Sequence, residues 1–320
     1  MKALMAFLLI ASTPSVWAIE TVCKHSVETG RDSVRTNSPV FSDSHDGEVY
    51  SAQRRSGGYQ VRRHFQDHLA ESELLWTSAE RIYKLQASND TLWLLTKSHL
   101  MAFEIETKTI RSRYATTSET LTRPHQRAHS FFIQDDMAYV AHGSLGVSQI
   151  DLNTGDIVKT SSFGMHQSNG HVSKATDILA LSDREFLVLA ESVTLSRMAP
   201  FAFNGLVKGQ TTDLRATSWH EYNRAHAGVI AYTRFKKFND EILINNVGTF
   251  HRIKLEKLAQ SDRSIIPRYH SLNETDRQVY RDLIGDFTVV DGRIVVCAQV
   301  VRVDRDSQNS SYSTETLRLQ

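Results

Sequence analysis

The sequence predicts an all-β protein, and three observations carry the prediction. Short apolar or alternating runs, bounded by Asp, Asn and Gly, follow one another along most of the 320 residues. Such runs are typical of β-strands, and segments with the 3.6-residue period of an amphipathic helix are almost absent. One unit also recurs along the chain: a turn ending in Asp, an apolar strand, a second short turn and an alternating strand.

The Asp turns define the period of this repeat. They fall at Asp46, Asp90, Asp136, Asp183, Asp240 and Asp291, with spacings of 44 to 57 residues. Repeats of roughly 40 to 50 residues with four short strands each are typical of a β-propeller. Segment 291–320 joined to segment 19–46 makes about one further period, so the ring closes on six blades. Seven blades are the alternative, if the long fourth unit contains extra strands.

The third unit shows the four strands of a blade most clearly. They are predicted at 129–134, 137–141, 147–152 and 157–163. Asn153 and Gly155 lie in the last turn, where they supply the left-handed conformations of a tight hairpin. The same pattern recurs in the second unit at 91–95 and 100–105 and in the fifth at 241–244 and 250–255. Weaker copies follow Asp46, Asp183 and Asp291.

The last unit contains three predicted strands, at 284–290, 293–303 and 311–319. Segment 20–27 at the N-terminus is free to supply the fourth. Both ends of the chain would then lie in one blade, and the open strand edges that promote aggregation would disappear. The sequence therefore predicts an N-terminal strand that completes the last blade.

Both cysteines, Cys23 and Cys297, belong to this closing blade. An even number of cysteines in an exported chain suggests a disulfide. In the predicted blade, however, their strands lie two spacings apart, about 9 to 10 Å. Bridged Cα atoms lie within about 7 Å. Either the N-terminal segment is placed differently or the two thiols stay unpaired.

Residues 1–18 have the order of a secretory signal peptide. A basic start at Lys2 precedes an apolar stretch at 3–11, and the segment ends in Val16-Trp17-Ala18. This order predicts cleavage after Ala18 and a periplasmic or secreted protein whose residues 19–320 form a single propeller domain. No later segment reaches the roughly 18 consecutive apolar residues of a membrane helix, so no transmembrane anchor is expected.

The charge balance argues against nucleic acid as a partner. Without residues 1–18 the chain has 36 basic and 36 acidic residues, whereas phosphate binding needs a concentrated basic surface. A protein or a component of the cell envelope is the expected partner, and the propeller is expected to be a monomer.

Two repeat families resemble the second and third units. Residues 138–141 and 146–152 resemble the LVIVD repeat of bacterial surface and periplasmic propellers. Residues 101–107 and 150–158 resemble the quinoprotein-like repeat, but the Trp expected after Gly155 is absent and no residue set for the quinone is found. The resemblance implies a scaffold used in envelope assembly and protein binding rather than a dehydrogenase.

Several histidines occupy comparable places in the repeats. His125, His129, His171 and His226 fall just before or at the start of a predicted inner strand. Because inner strands line the central channel, these imidazoles could converge at its mouth and hold a divalent metal. Their offsets from the following Asp differ, and a structural role is the alternative.

A longer insertion in the fourth unit provides a candidate partner loop. It contains Met198, Phe201 and Phe203, and apolar side chains in a loop need something to cover them. Packing back onto the blade is the alternative. Since no hydrolase motif or phosphate-binding loop is found, the sequence predicts a non-catalytic propeller that binds through loops on one face. The alternative is a hydrolase or lactonase-like propeller with a metal at the channel mouth.

Overall fold

The computed structural model describes residues 19–24, 40–42, 45–65, 68–118, 121, 126–163, 167–168, 171–194, 201–226, 233–246, 249–259, 268–271, 280–290 and 293–302. These residues form 24 strands and one short helix, α1 (Leu255–Ala259). The prediction of an all-β fold is confirmed.

Apart from the N-terminal strand, the strands form sheets of consecutive antiparallel neighbours. The first sheet contains β2 (Val40–Phe41), β3 (Glu48–Arg55), β4 (Gly58–Phe65) and β5 (His68–Ser78). The second contains β6 (Lys84–Ser88), β7 (Thr91–Leu95), β8 (His99–Glu104) and β9 (Thr109–Ala115). The third contains β10 (Ser130–Gln134), β11 (Met137–Ala141), β12 (Val147–Asp151) and β13 (Ile157–Ser161).

The remaining sheets differ from these in size. The fourth has five strands, β14 (Gln167–Ser168), β15 (His171–Ser182), β16 (Glu185–Thr194), β17 (Phe201–Gln210) and β18 (Ala216–His226). The fifth contains β19 (Thr233–Phe238), β20 (Glu241–Asn246), β21 (Thr249–Lys254) and β22 (Arg268–Ser271). The closing sheet has three described strands in the order β1 (Ile19–Lys24), β24 (Arg293–Arg302) and β23 (Tyr280–Val290).

The Asp turns that defined the repeat connect the first two strands of a sheet. At four of them one residue has a left-handed backbone, with φ near +50° at Asp46, Asn89, Asp135 and Asn239. Asn and Asp tolerate this conformation better than other non-glycine residues. The recurring Asx residues therefore mark the repeat because the hairpin geometry requires them.

The apolar core lies between the sheets. Each of five clusters of buried side chains in the described residues joins two neighbouring sheets. Between the third and fourth sheets, for example, Phe132 stacks on Tyr139 with ring centroids 4.6 Å apart, and both rings pack near Phe186. A single sheet cannot bury both of its faces, and stacking side by side solves this.

The innermost strands contact one another in a cycle. In chain order they are β2, β6, β10, β15, β19 and β23, and β23 also contacts β2. The polypeptide thus returns to its starting point around a central axis. Five of the sheets have the four or five strands of a complete blade.

The N-terminal strand joins the last sheet, but in a different place from the one expected. β1 pairs directly and in parallel with β24, whereas the sequence-based arrangement put a strand at 311–319 between them. Segment 311–319 lies outside the described residues. The expected separation of two strand spacings between β1 and β24 is therefore wrong.

The extra length of the fourth unit becomes longer strands. β15, β16, β17 and β18 have 10 to 12 residues each, compared with five in each strand of the third sheet. The additional strand β14 pairs with the start of β15 in the same sheet. No seventh sheet is formed by the described residues.

Candidate functional site

Five charged side chains are buried around the axis, on the inner strands. They belong to residues that are each no more than 6% exposed, namely Lys84, Asp177, Arg234, Lys236 and Asp286. We call this set the hub. Since an isolated buried charge is very costly, each of these groups needs partners inside the protein.

Asp177 is the best-compensated charge of the hub. Its carboxylate lies 3.6 Å from Lys84 Nζ and 3.7 Å from Arg234 Nη1. It also accepts the backbone N–H of Phe235, at 3.1 Å, and that of Ile178, at 3.0 Å. Burial alone would raise the pKa of this carboxyl, but the two cations together with the hydrogen bonds that it accepts outweigh burial and lower it. Asp177 is therefore ionised and ties β15 to β19.

Arg234 crosses the axis. Its Nη2 donates to the carbonyl of Tyr83, at 2.9 Å, and its Nη1 donates to those of His129 and Thr176, at 3.2 and 3.4 Å. Tyr83 directly precedes β6, which lies opposite β19 in the cycle of inner strands. A planar guanidinium with five N–H donors is suited to such a junction. One side chain thus links four inner strands across the axis.

Asp286 ties the first and last parts of the chain together. Its carboxylate accepts the N–H of Phe41, at 2.9 Å, across 245 residues of sequence, and that of Phe287, at 2.9 Å. Lys236 Nζ donates to the carbonyl of Phe41 at 3.4 Å. These contacts join β2 to β23 and β19.

The hub is arranged for structure rather than for proton transfer. Burial lowers the pKa of Lys84, and the nearby Asp177 carboxylate opposes that effect. A general acid or base has to exchange a proton with a substrate within hydrogen-bonding reach. Asp177 and Arg234 instead direct their hydrogen bonds to the protein backbone. We therefore assign the hub to ring closure.

Two histidines flank the β10–β11 hairpin at the ends away from its Asp turn: His129 directly precedes β10, and His142 directly follows β11. His142 is fully buried and neither of its ring nitrogens makes a hydrogen bond of normal geometry. Burial lowers its pKa to about 4. Burial, reinforced by the cations Arg127, Lys174 and Arg234, likewise holds the pKa of His129 well below its usual value. Both imidazoles are neutral at pH 7.

The structure separates the histidines that the sequence grouped. His171 begins β15, whereas His226 ends β18, on the outer strand of the same sheet. Three strand spacings, about 14 Å, separate their backbones. His125 lies outside the described residues. No three His, Cys, Asp or Glu side chains come together in the described part of the chain, so a metal at the channel mouth stays a prediction.

The aromatic residues of the predicted partner loop belong to a strand. Phe201 and Phe203 open β17, where Phe203 pairs with Ser192 and Phe201 pairs with His226. Met198 lies outside the described residues. The insertion therefore extends the fourth sheet, at least from residue 201 onwards.

That extension reaches beyond the level of the hub. In the third sheet, Ser130 occupies the position that corresponds to Asp177. Its pair with Ala141 is the β10–β11 pair farthest from the Asp turn. Asp177 itself pairs with Leu189, and five further pairs continue to His171 and Thr194. At about 3.3 Å per residue the fourth sheet extends about 16 Å past the hub, on the side opposite the Asp turns.

Sequence reasoning missed the hub residues, although a signal for them exists. Lys84, Ser130 and Arg234 each stand five residues before the left-handed residue of the following turn, next to an apolar residue. A bulge in β15 adds one residue to that spacing at Asp177. An alignment of the repeat units on their Asp turns places these polar residues at one shared position, and so predicts them from the sequence.

No family model and no curated protein matches the chain. Among solved structures, a chain from the crystal structure of the mitotic checkpoint complex is 10% identical, with 98% of each chain covered and a TM-score of 0.50. A streptogramin B lyase is 11% identical, with 91% of this chain and 96% of that one covered and a TM-score of 0.49. BamB from Moraxella catarrhalis is 10% identical, with 86% and 83% covered and a TM-score of 0.45.

At such identities a structural likeness concerns the fold alone. The deciding observation is the closed cycle of inner strands, each of which belongs to a different sheet. The chain is a β-propeller. No helix among the propeller's described residues is long and apolar enough to cross a membrane.

Proposed function

We propose that this propeller is a non-catalytic binding protein of the cell envelope that holds a protein or envelope component on its elongated fourth sheet. The observation that carries the proposal is the extension of β15–β18 past the hub. Ring closure needs strands only as long as those of the third sheet. Long strands also occur in the closing sheet, where β23 and β24 have 11 and 10 residues, so length alone does not mark a binding surface. The fourth sheet combines its length with two phenylalanines in the projecting part of β17, and a projecting sheet on one face of a propeller is suited to a partner.

The position of the aromatic residues supports this surface. By the two-residue period of a strand, Phe201 and Phe203 share a register face with Val207. Val207 packs in the cluster between the third and fourth sheets. Both phenylalanine positions lie past the level where the β10–β11 pairing ends. Large aromatic side chains frequently contribute most of the binding energy of a protein interface.

The hub supports a role outside the channel. Arg234 and its three carbonyl partners cross the axis, and Lys236 reaches from β19 to the first sheet. These groups fill the centre of the ring with contacts between strands of the same chain. Binding on a face, rather than in a channel, is compatible with this arrangement.

The six-bladed ring and the export of the chain belong to the same proposal. The closing sheet is the sixth blade, supported by the contact of its inner strand β23 with both β19 and β2. Export is supported by the basic, apolar and small-residue order of residues 1–18. Cell fractionation and N-terminal sequencing test export; a mature chain beginning at Ile19 is expected, and cytoplasmic protein that retains Met1 would overturn it.

The binding surface is tested by shortening the extension. Glu191 and Asn204 pair across β16 and β17, so an Asn-Gly turn can replace residues 192–203. We expect the shortened, folded propeller to lose the proteins that the natural chain captures from an envelope extract, as quantified by mass spectrometry. F201S/F203S should reduce the same capture.

A matched control uses another apolar residue on the surface. Val158 of β13 is 56% exposed and lies in the third sheet, and V158S should leave capture unchanged. Unchanged capture by the shortened variant would overturn the fourth sheet as the binding surface. A stoichiometric divalent metal in the purified propeller, lost in H129A/H171A, would replace the non-catalytic interpretation with the metal-dependent one.

A further inference from the structure

The closing sheet brings the two cysteines of the chain into register. In the parallel pairing of β1 with β24, Cys23 stands opposite Cys297, after an irregularity between Thr21 and Cys23. Cys23 lies in the first described strand and Cys297 in the last, so this pairing joins the two ends of the described chain. The two-strand separation that argued against a bond in the sequence-based arrangement is replaced by direct adjacency.

The backbone spacing satisfies the requirement for a disulfide. Neighbouring strands lie about 4.7 to 4.9 Å apart, and residues that pair directly share one face of the sheet. Bridged Cα atoms lie about 4.4 to 6.8 Å apart. The register at Cys23 and Cys297 falls within that interval, and a shift of β1 by two residues along β24 would remove it.

We propose that Cys23 and Cys297 form a disulfide that locks the ring of the propeller. The bond forms when the two thiols transfer two electrons and two protons to the disulfide of a thiol oxidoreductase, which leaves as a dithiol. Such oxidants act in the periplasm and outside the cell. The proposal therefore rests on the export of the chain, while the pairing itself rests on the register of β1 and β24.

The bond would reinforce the junction between the first and the closing sheets, which no continuous segment of the polypeptide connects. Elsewhere a continuous polypeptide joins each sheet to the next. At the seam, the two ends meet through non-covalent contacts that include the β2–β23 packing, an apolar cluster between the first and closing sheets, the hydrogen bond from Phe41 to Asp286 and the pairing of β1 with β24. A covalent link between β1 and β24 prevents the N-terminal strand from leaving and exposing the edge of β24.

The first experiment uses the full chain expressed with residues 1–18 and alkylated in the cell before purification. We expect no alkylated cysteine, an intact mass about 2 Da below that of the reduced chain, and a peptide that links Cys23 to Cys297. Reduction should lower the midpoint temperature of unfolding by several degrees, and C23S/C297S should show the lower midpoint with and without reductant.

A second experiment separates the pairing from export. The reduced, folded chain is treated with oxidised glutathione, and an off-register variant, I19C/C23S, serves as the matched control because Ile19 pairs with Ile294 rather than with Cys297. Rapid intramolecular bonding in the natural chain and at least tenfold slower bonding in the variant support the pairing. Equal rates, or two free thiols after oxidation of the natural chain, would overturn it. Bonding in glutathione together with free thiols in the cell supports the pairing and overturns export alone.

Discussion

Two junctions between neighbouring inner strands of the ring are made by the same type of hydrogen bond, from a backbone N–H to a buried Asp carboxylate, in different surroundings. At the step from β15 to β19, Asp177 accepts the N–H of Phe235 at 3.1 Å, and at the step from β23 to β2, Asp286 accepts the N–H of Phe41 at 2.9 Å. Each carboxylate also accepts the N–H of the residue that follows it. Asp177 and Phe235 are 58 residues apart, whereas Asp286 and Phe41 are 245 apart.

The difference lies in how far the neighbouring cation reaches. Lys84 and Arg234 lie 3.6 and 3.7 Å from Asp177 and lower its pKa, and Arg234 then reaches three carbonyls around the axis. The contact at Asp177 is therefore part of a network that spans the hub, whereas Asp286 closes the seam at Phe41, whose carbonyl also accepts a hydrogen bond from Lys236. Ring closure thus depends on one extended network and on the junction at Asp286.

Loss of Arg234 should have the largest effect. R234M leaves three carbonyls without their donor and Asp177 with one close cation fewer, so we expect a loss of about 3 to 5 kcal/mol in the free energy of unfolding. Urea denaturation measures it. R215M is the control, because the Arg215 side chain is 69% exposed; a loss below about 1 kcal/mol for R234M would contradict the network.

The two carboxylates can be compared directly. D177N leaves Lys84 and Arg234 without their close negative partner, and we expect a loss of about 3 kcal/mol. D286N keeps one oxygen as an acceptor for the N–H of Phe41 and should cost about 1 kcal/mol. The same denaturation experiment measures both. Equal losses would show that the cations at Asp177 add nothing to its role.

A charge-balanced double variant sharpens this comparison. K84M/D177N removes one positive and one negative charge together from the hub. It should be more stable than D177N alone, because fewer buried charges remain uncompensated. Additive losses in the double-mutant cycle would show that Lys84 and Asp177 are not coupled.

Acid should destabilise the propeller in two stages. The folded-state pKa of His142 is lowered from 6.5 to about 4 by burial, so stability is lost as the pH falls from about 6.5 to 4, by up to about 3 kcal/mol. Asp177 has a lowered pKa, so its contribution is lost only as the pH falls below its ordinary value of 3.8.

Variants assign the first stage. H142F should reduce the decline of stability between pH 6.5 and 4, measured by urea denaturation across that range, and the decline that remains is expected from His129, whose pKa is also lowered by burial. His99 is partly exposed and lies in the second sheet, so H99F serves as the comparison and should keep most of the decline. An unchanged profile in H142F would assign the acid sensitivity elsewhere.

Contacts between blades at the rim should matter least. Lys108 Nζ lies 2.8 Å from a carboxylate oxygen of Glu73 and links the second sheet to the first, but the two side chains are 47% and 35% exposed. Exposed ion pairs contribute about 0.5 kcal/mol or less. K108A should therefore shift the urea midpoint only slightly, and the shift should vanish in high salt. A loss comparable to that of D286N would contradict the contrast between hub and rim.

The elements predicted best are those fixed by local chemistry. In the third unit the strands predicted at 137–141 and 147–152 agree with β11 and β12 to within one residue. Alternating apolar residues and Asx turns act over a few positions, so their pattern can be read from the sequence. The placement of Phe201 and Phe203 in a loop was wrong, because the length of β17 depends on pairing with β16 and β18.

By itself the sequence determined the strand class, the repeat, the position of its turns and the presence of an N-terminal strand for the last sheet. Only the tertiary structure decided that β1 lies directly beside β24, that Cys23 faces Cys297 in register, and that Lys84, Asp177 and Arg234 meet at the axis. The physical reason is range. A turn or an alternating strand is specified by neighbours in the chain, whereas a hub charge is tolerated only when partners from other sheets, 58 to 245 residues away, arrive in the right geometry.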